Sequence, residues 1–363
     1  MPDRSPLIQK MDVFNCRLLL LPLIIGIAGC SETTDNSPNI VRSADSVELA
    51  VIGDVPYEPD DYVDIGEFPQ LVNSINNDPF AMMTVHVGDI KGGETPCVDQ
   101  KFQDVFNVFQ TFDEPLVYSI GDNEWTDCDR VSAGSYEPEE RLGKLREIFF
   151  ATPGQSLGGN PRSVDAQDNY PENQVWEDKG IVFGTLHVVG TNNNLITGSG
   201  RPGAAEQSAT GTSEYARRTA ANITWLRGIF ERATQNQSAG IALFFHADMS
   251  KELVAFDEKV LGGFSEFVQE LSIQAEAFSK PVVIVSGDNR YRVDVGVEWF
   301  SLYDVNPVSN ITQIIVPRGV EYQSNSSRVK TSWLRLEADA DLEASRVFEW
   351  ELVTRTYAVA APQ

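Results

Sequence analysis

The chain has 363 residues and a formal net charge of −25, with 42% hydrophobic and 22% charged residues. That length supports one large α/β domain or two small ones, and that composition is that of a folded globular protein. So acidic a surface repels nucleic acid backbones, and no Lys/Arg-rich stripe offsets it, so nucleic acid is not an expected partner.

In chain order, the first feature is Arg17 followed by the apolar or small run Leu18 to Ala28, then Gly29-Cys30. The run is too short to cross a bilayer as a helix and fits a signal peptide. The string IAGC resembles the bacterial lipobox, which implies cleavage after residue 29, lipid on Cys30, and membrane contact through that anchor only; Met11 is an alternative start. The expected location is the cell envelope, on its periplasmic or outer-membrane face. Residues 30–45 are polar without apolar period and read as a tether. Residues 46–355 read as one domain. Cys97 and Cys128 are the cysteines left in an oxidising compartment, and a bridge between them is expected.

From Val47 short apolar runs alternate with amphipathic stretches: VELAVIGD, FPQLVNSIN, MMTVHVGD, FQDVFNVFQTF, PLVYSIGD, EERLGKLREIFF. Buried strands alternating with helices predict a mostly parallel sheet. GIVFGTLHVVG then predicts a strand, 197–212 a Gly/Ser/Thr-rich loop, 213–234 a helix, IALFFH a strand, 264–278 a helix and PVVIVSGD a strand. ITQIIVP, SWLRLEA and RVFEWELV have the period-2 pattern of an antiparallel sheet.

The predicted strands end alike: Gly53-Asp54, Gly88-Asp89, Gly121-Asp122, His246 and Gly287-Asp288. Ligands of α/β sheets gather at strand carboxyl ends, and carboxylates with an imidazole converging there form a divalent-metal ligand set. A single Gly-Asp is an ordinary turn; the repetition at successive strands is what points to a site. His86 and His187 read as packed strand histidines, Asn192 to Asn194 as turn formers, and Trp125 as packing.

The order of these motifs resembles the calcineurin-like metallophosphoesterases, which read D-x-H, G-D, G-N-H-[DE], a lone His and G-H-x-H. The corresponding strings here are GDVPY at 53–57, VGDIKGG at 87–93, IGDNEW at 120–125, FFHAD at 244–248 and SGDNR at 286–290. The resemblance implies an α/β fold of two packed mixed sheets flanked by helices. It also implies phosphoester hydrolysis by water or hydroxide held on metal, acting on a small phosphomonoester or phosphodiester. The implied metal ligands are Asp54, Asp89, Asp122, His246 and Asp288, and Asn123 and Arg290 would contact the phosphate. The departures are Pro56, Asp122, Asn123, Asp288 and Arg290, which stand where the family has the first His, an Asn and three further His. Loss of two first-metal histidines implies one ion, and the oxygen-rich set favours Mn²⁺, Mg²⁺ or Ca²⁺ over Zn²⁺. Arg290 is expected to pair with Asp54. Loss of the acid histidine leaves a second reading, a non-hydrolytic binding lipoprotein on the same scaffold.

Overall fold

The computed structural model describes residues 45–57, 67–195, 209–250, 262–322 and 328–358. The leader, Cys30 and the tether up to residue 44 lie outside them. No helix among the described residues is long and apolar enough to cross a membrane.

The first half runs β1 (Val47–Ile52), α1 (Glu67–Asn76), β2 (Met83–His86), α2 (Asp99–Phe109), β3 (Leu116–Tyr118) and α3 (Pro138–Phe149). Then come β4 (Asp165–Gln167), β5 (Tyr170–Asp178), β6 (Ile181–Thr185), the single turn α4 (Gly190–Asn193), α5 (Ala209–Gln235), β7 (Gly240–Phe244) and α6 (Gly262–Phe278). The rest is β8 (Val282–Ser286), β9 (Arg292–Val295), β10 (Ile311–Ile315), β11 (Val320–Tyr322), β12 (Arg328–Ala338) and β13 (Phe348–Ala358). One sheet has the order β11-β12-β1-β2-β3 with β13 on β12, and the other β4-β5-β6-β7-β8-β10-β9.

Strand sequences explain the layering. In β1, Val47, Leu49 and Val51 face a core shared with Phe244, Val283 and Ile314 of the second sheet. Its alternate residues Ala50 and Ile52 face Phe68, Phe102 and Leu145 of α1, α2 and α3. In β7, Phe244 lies in the inter-sheet core, while Ile241 and Leu243 pack against α5 and α6 through Leu226 and Phe267. A strand buried on both faces must read as a continuous apolar run, which is why no alternation shows in these segments. The result is helix, sheet, sheet, helix: the two mixed sheets flanked by helices that the resemblance implies.

Three expectations need correction. ITQIIVP is β10, which lies in the second sheet, antiparallel to β9 but parallel to β8, while β11, β12 and β13 pair antiparallel in the first. β10 is buried on both faces at Ile311, Ile314 and Ile315, a demand its apolar run meets equally well. The helix predicted from residue 213 begins at Ala209, so the last four residues of the predicted loop are helical. Residues 197–208 of that loop lie outside the described set. His187 is not mid-strand: β6 ends at Thr185, and the apolar stretch beyond it is buried irregular chain.

The first sheet places β1, β2 and β3 parallel with Ile52 beside His86 and His86 beside Tyr118. The second places β6, β7 and β8 parallel, with Thr185 beside Phe244 and Phe244 beside Val285. Both sets of carboxyl ends therefore open at one edge of the sandwich. Backbone bonds lock them there, Asp54 N to Gly88 O (2.9 Å) in one sheet and Gly287 N to His246 O (2.9 Å) in the other.

Candidate metal centre

Three of the strand-end aspartates leave their strands in the left-handed region: Asp54 (φ 52°), Asp89 (φ 60°) and Asp288 (φ 61°). Aspartate tolerates this conformation better than most residues, and here it turns each carboxylate back over the sheet edge. The preceding Gly88 (φ 98°) is required on two grounds: a Cβ there would stand 2.7 Å from Gly121 and 2.9 Å from His246 Nδ1. The β2 and β3 turns thus touch through bare backbone.

Asp89, Asp122 and His246 converge, each offering a ligand atom within 4.8 Å of the others, and all three are buried. His246 Nδ1 donates to the Val87 carbonyl at 2.9 Å, since a carbonyl only accepts. In the neutral ring the lone pair then sits on Nε2, which is buried. It faces Asp89 Oδ1 at 3.2 Å and Asp122 Oδ1 at 3.0 Å. A lone pair aimed at two carboxylate oxygens is repulsive unless a cation lies between them, a proton or a metal. Without a metal the proton fills that place: although burial disfavours the imidazolium, Asp89 and Asp122 hold His246 well above the ordinary histidine range. Burial, with Asp122, Glu124 and Asp54 adding to it, pushes Asp89 well above the usual carboxylate range against the pull of His246. The donor set therefore fits a divalent ion.

Both ligand carboxylates are held by the protein, and Asp89 Oδ1 itself accepts the Asn123 backbone N–H at 3.2 Å. Asp89 Oδ2 accepts from Asn123 Nδ2 at 2.6 Å, and Asp122 Oδ2 from Thr191 Oγ1 at 2.7 Å. Asn123, expected at the phosphate, thus has its amide engaged with Asp89 and with the Tyr57 hydroxyl at 3.3 Å. Asp54 and Asp288 do not join the tight trio. Asp54 Oδ2 accepts the Asp288 backbone N–H at 3.1 Å, which ties the two sheets' strand ends together. Asp288 Oδ2 and Asp122 Oδ2 lie on the same side of Gly190, each 2.8 Å from where a Cβ would be.

The expected Arg290–Asp54 pair is not among the described ion pairs. Arg290 is exposed, and its backbone N–H donates to Asn289 Oδ1 at 2.8 Å. The left-handed Asp288 sends the chain outward before the arginine is reached. A cation beside Asn123 is Arg130, absent from the sequence expectations. It pairs with buried Asp127 at 2.5 Å, and its Nη1, together with Asn123 Oδ1, occupies the space a Gly93 side chain would need. Lys91 is fully buried nearby, donating to the Gly92 carbonyl at 3.0 Å; burial lowers its pKa, against Glu124, Asp89 and Asp127.

Glu124 was also missed. Its Oε1 accepts from Gly121 N (2.5 Å), Asp89 N (3.2 Å) and the Tyr118 hydroxyl (2.7 Å), binding the β2 and β3 turns into one unit. Its signal was the fourth position of the G-N-H-[DE] pattern. The structure joins Cys97 to Cys128 with Cα atoms 5.8 Å apart. Both sulfurs lie 3.7 Å from the Asn123 carbonyl oxygen, so the bridge sits under the Asp122-Asn123 turn. His86 is a packed residue as expected: Nε2–H donates to Val55 O (2.6 Å), Nδ1 accepts from Gly88 N (3.1 Å), and burial lowers its pKa to about 4. Trp125 is buried against His187, ring centroids 5.2 Å apart.

The wall beside Asp122 is unusual backbone. Thr191, Asn192, Asn193 and Asn194 follow one another at φ 58°, 53°, 51° and 59°. Isolated left-handed residues cost ~1–3 kcal/mol each, and the cost falls for Asn, but consecutive ones persist only when their surroundings hold them. Here every asparagine is pinned. Asn192 Oδ1 accepts from Gly263 N at 3.0 Å, Asn193 Nδ2 donates to Gly263 O at 3.0 Å, and Asn194 Nδ2 donates to Glu214 at 2.9 Å.

No family model matches the chain, and no curated protein does. Among solved structures, a phosphatase from Mycoplasma pneumoniae is similar with a TM-score of 0.36 and 11% identity, over 86% of this chain and 94% of that one. Vps29 of Chaetomium thermophilum is similar with a TM-score of 0.25 and 9% identity, over 87% of this chain and 99% of that one.

Proposed function

We propose that this chain is a metal-dependent phosphoester hydrolase with a single divalent cation held by Asp89, Asp122 and His246. The observation that carries the reading is the buried His246 Nε2 facing two buried carboxylate oxygens at 3.2 and 3.0 Å. Asp288, on the Asp122 side, would join these three as a fourth ligand, and its backbone N–H is braced by Asp54. Three oxygen donors and one imidazole favour Mn²⁺, Mg²⁺ or Ca²⁺ over Zn²⁺. Such a cation supplies Lewis acidity, polarising a phosphoryl oxygen and acidifying water. The protein's own contribution is a fixed set of ligands and an anion-binding arginine. Arg130 presents a permanent charge and a planar fork beside Asn123, with Arg290 at the exposed rim. Phosphoester as the substrate class is supported by the order of strand-end motifs and by this pairing of a hard cation site with arginine. Export and lipid on Cys30 belong to the same proposal and rest on the leader sequence; loss of acyl labelling in Cys30→Ala tests them.

The decisive assay offers p-nitrophenyl phosphate and bis-p-nitrophenyl phosphate to metal-stripped protein reloaded with Mn²⁺, Mg²⁺, Ca²⁺ or Zn²⁺, alongside metal analysis. About one equivalent of metal and metal-dependent turnover of either ester are expected. Two equivalents refute the single-ion reading. Tight metal binding without turnover of either ester favours the binding-module reading, which gains from the Asn123 amide being engaged with Asp89 and Tyr57 where a proton donor would stand.

A further inference from the structure

Asp122 owes its orientation to a residue that follows a different strand in the other sheet. Its Oδ1 faces His246 at 3.0 Å while its Oδ2 accepts from Thr191 Oγ1 at 2.7 Å. The same hydroxyl lies 3.1 Å from Asp127 Oδ1, and Asp127 in turn holds Arg130. Thr191 reaches this place only because its backbone is left-handed, φ 58°, where a β-branched residue is an outlier. Beneath it lies Arg218 of α5, fully buried. Its Nη1 donates to Asn193 Oδ1 (2.6 Å) and His187 O (2.9 Å), and its Nη2 to Asn193 O (2.9 Å). Its Nε is fixed by Glu214 at 2.6 Å, and its guanidinium lies 5.3 Å from the Trp125 ring centre. A buried arginine from an outer helix grips the turn by side chain and backbone, and the turn presents one hydroxyl to one metal ligand.

We propose that Thr191 is a positioning residue for Asp122, and that Arg218 holds Thr191 in place; this rests on the metal reading above. Hydrogen bonds to a ligating carboxylate fix which oxygen faces the ion, and their loss weakens metal binding by about 10–100-fold. The hydroxyl is the operative group. Valine keeps the branched shape and removes the donor, while serine keeps the donor.

The test is Mn²⁺ titration of the metal-stripped full chain, followed by the electron paramagnetic resonance signal of free Mn²⁺, with thermal melts of each metal-free variant. Thr191→Val should weaken Mn²⁺ binding about 10–100-fold at an unchanged melting temperature. Thr191→Ser should bind within about 3-fold of wild type, well short of the 10–100-fold loss. Arg218→Lys, which keeps a charge but loses the fork, should weaken binding in the same direction. If the valine chain does not fold, Thr191→Ala removes the same hydroxyl without the branch and reads the same quantity. Wild-type affinity in the valine or alanine chain, or equal weakening by serine and valine, overturns the role of Thr191 and leaves the metal site standing. A wild type that takes up no Mn²⁺ overturns the metal reading and this proposal with it.

Discussion

At the scale of single residues, the centre depends on atoms that are absent as much as on those present. Gly190 is the clearest case. Its backbone is not left-handed, so alanine is conformationally acceptable, but the new Cβ would stand 2.8 Å from both Asp122 Oδ2 and Asp288 Oδ2. A contact that short forces both carboxylates to shift. Gly190→Ala is therefore expected to fold, to melt without metal close to wild type, and to lose at least ~10-fold in Mn²⁺ affinity. Calorimetric titration measures it, and unaltered affinity would show that neither carboxylate faces the ion. Asp89 and Asp122 were legible because a repeated Gly-Asp at strand ends is a pattern, and His246 because it follows a strand at the same edge. Thr191, Tyr57 and Arg218 were not, since each acts through a hydrogen bond across elements far apart in sequence. Asn192 to Asn194 were legible as turn formers, but not as a run of left-handed residues, because that run is imposed by Gly263, Glu214 and Arg218 from α5 and α6.

At the scale of elements, the bridge between the turns after β2 and β3 is the feature most open to test. It spans 31 residues and packs against the Asn123 carbonyl. A loop of that size stabilises by about 3–4 kcal/mol when closed, mainly through the unfolded chain. Replacing both cysteines by serine should lower the unfolding free energy by roughly that amount. The Asp122-Asn123 turn, no longer backed by sulfur, should also bind metal more weakly. Urea unfolding with and without Mn²⁺ separates the two effects: a ΔG loss equal in both conditions would leave the bridge a purely structural clasp. Elements were read well where period and length agree, as for β1, β7, α3 and α6. They were read poorly where burial alone dictates composition. The apolar run of β10 serves a parallel interior strand as readily as an antiparallel one, and the buried stretch after Thr185 looks like strand without being one.

At the scale of the whole molecule, one buried ionic group joins the first sheet's outer helix to the second sheet. Glu172 of β5 receives Arg146 of α3 through Nε at 3.0 Å and Nη2 at 2.5 Å, and His187 Nδ1–H at 2.8 Å. Nothing in the sequence links residues 146, 172 and 187; only the packing of α3 against the edge of the second sheet does. Burial favours the neutral acid, yet the His187 hydrogen bond and the Arg146 charge bring the Glu172 pKa down from 4.5 to about 2. His187 itself stays neutral, its pKa lowered by burial. A depressed carboxylate stabilises the fold at pH values above its unfolded pKa and loses that contribution as pH falls through the folded value. The window here runs from about pH 5 down to about pH 2, and the shift corresponds to ~3 kcal/mol. Asp89 and Glu124, whose pKa values burial raises, act in the opposite sense from about pH 4 upward, so the total slope does not isolate Glu172. The difference between wild type and Glu172→Gln does. At pH 7 the variant should be less stable by roughly 3–5 kcal/mol, since it leaves Arg146 without its charge partner. As the pH is lowered to 2 that deficit should shrink by about 3 kcal/mol, because wild type loses what the variant never had. Urea unfolding at matched ionic strength measures both. A deficit that stays constant with pH would mean that Glu172 is not ionised in the folded protein, and that the two halves of the sandwich meet there through packing alone.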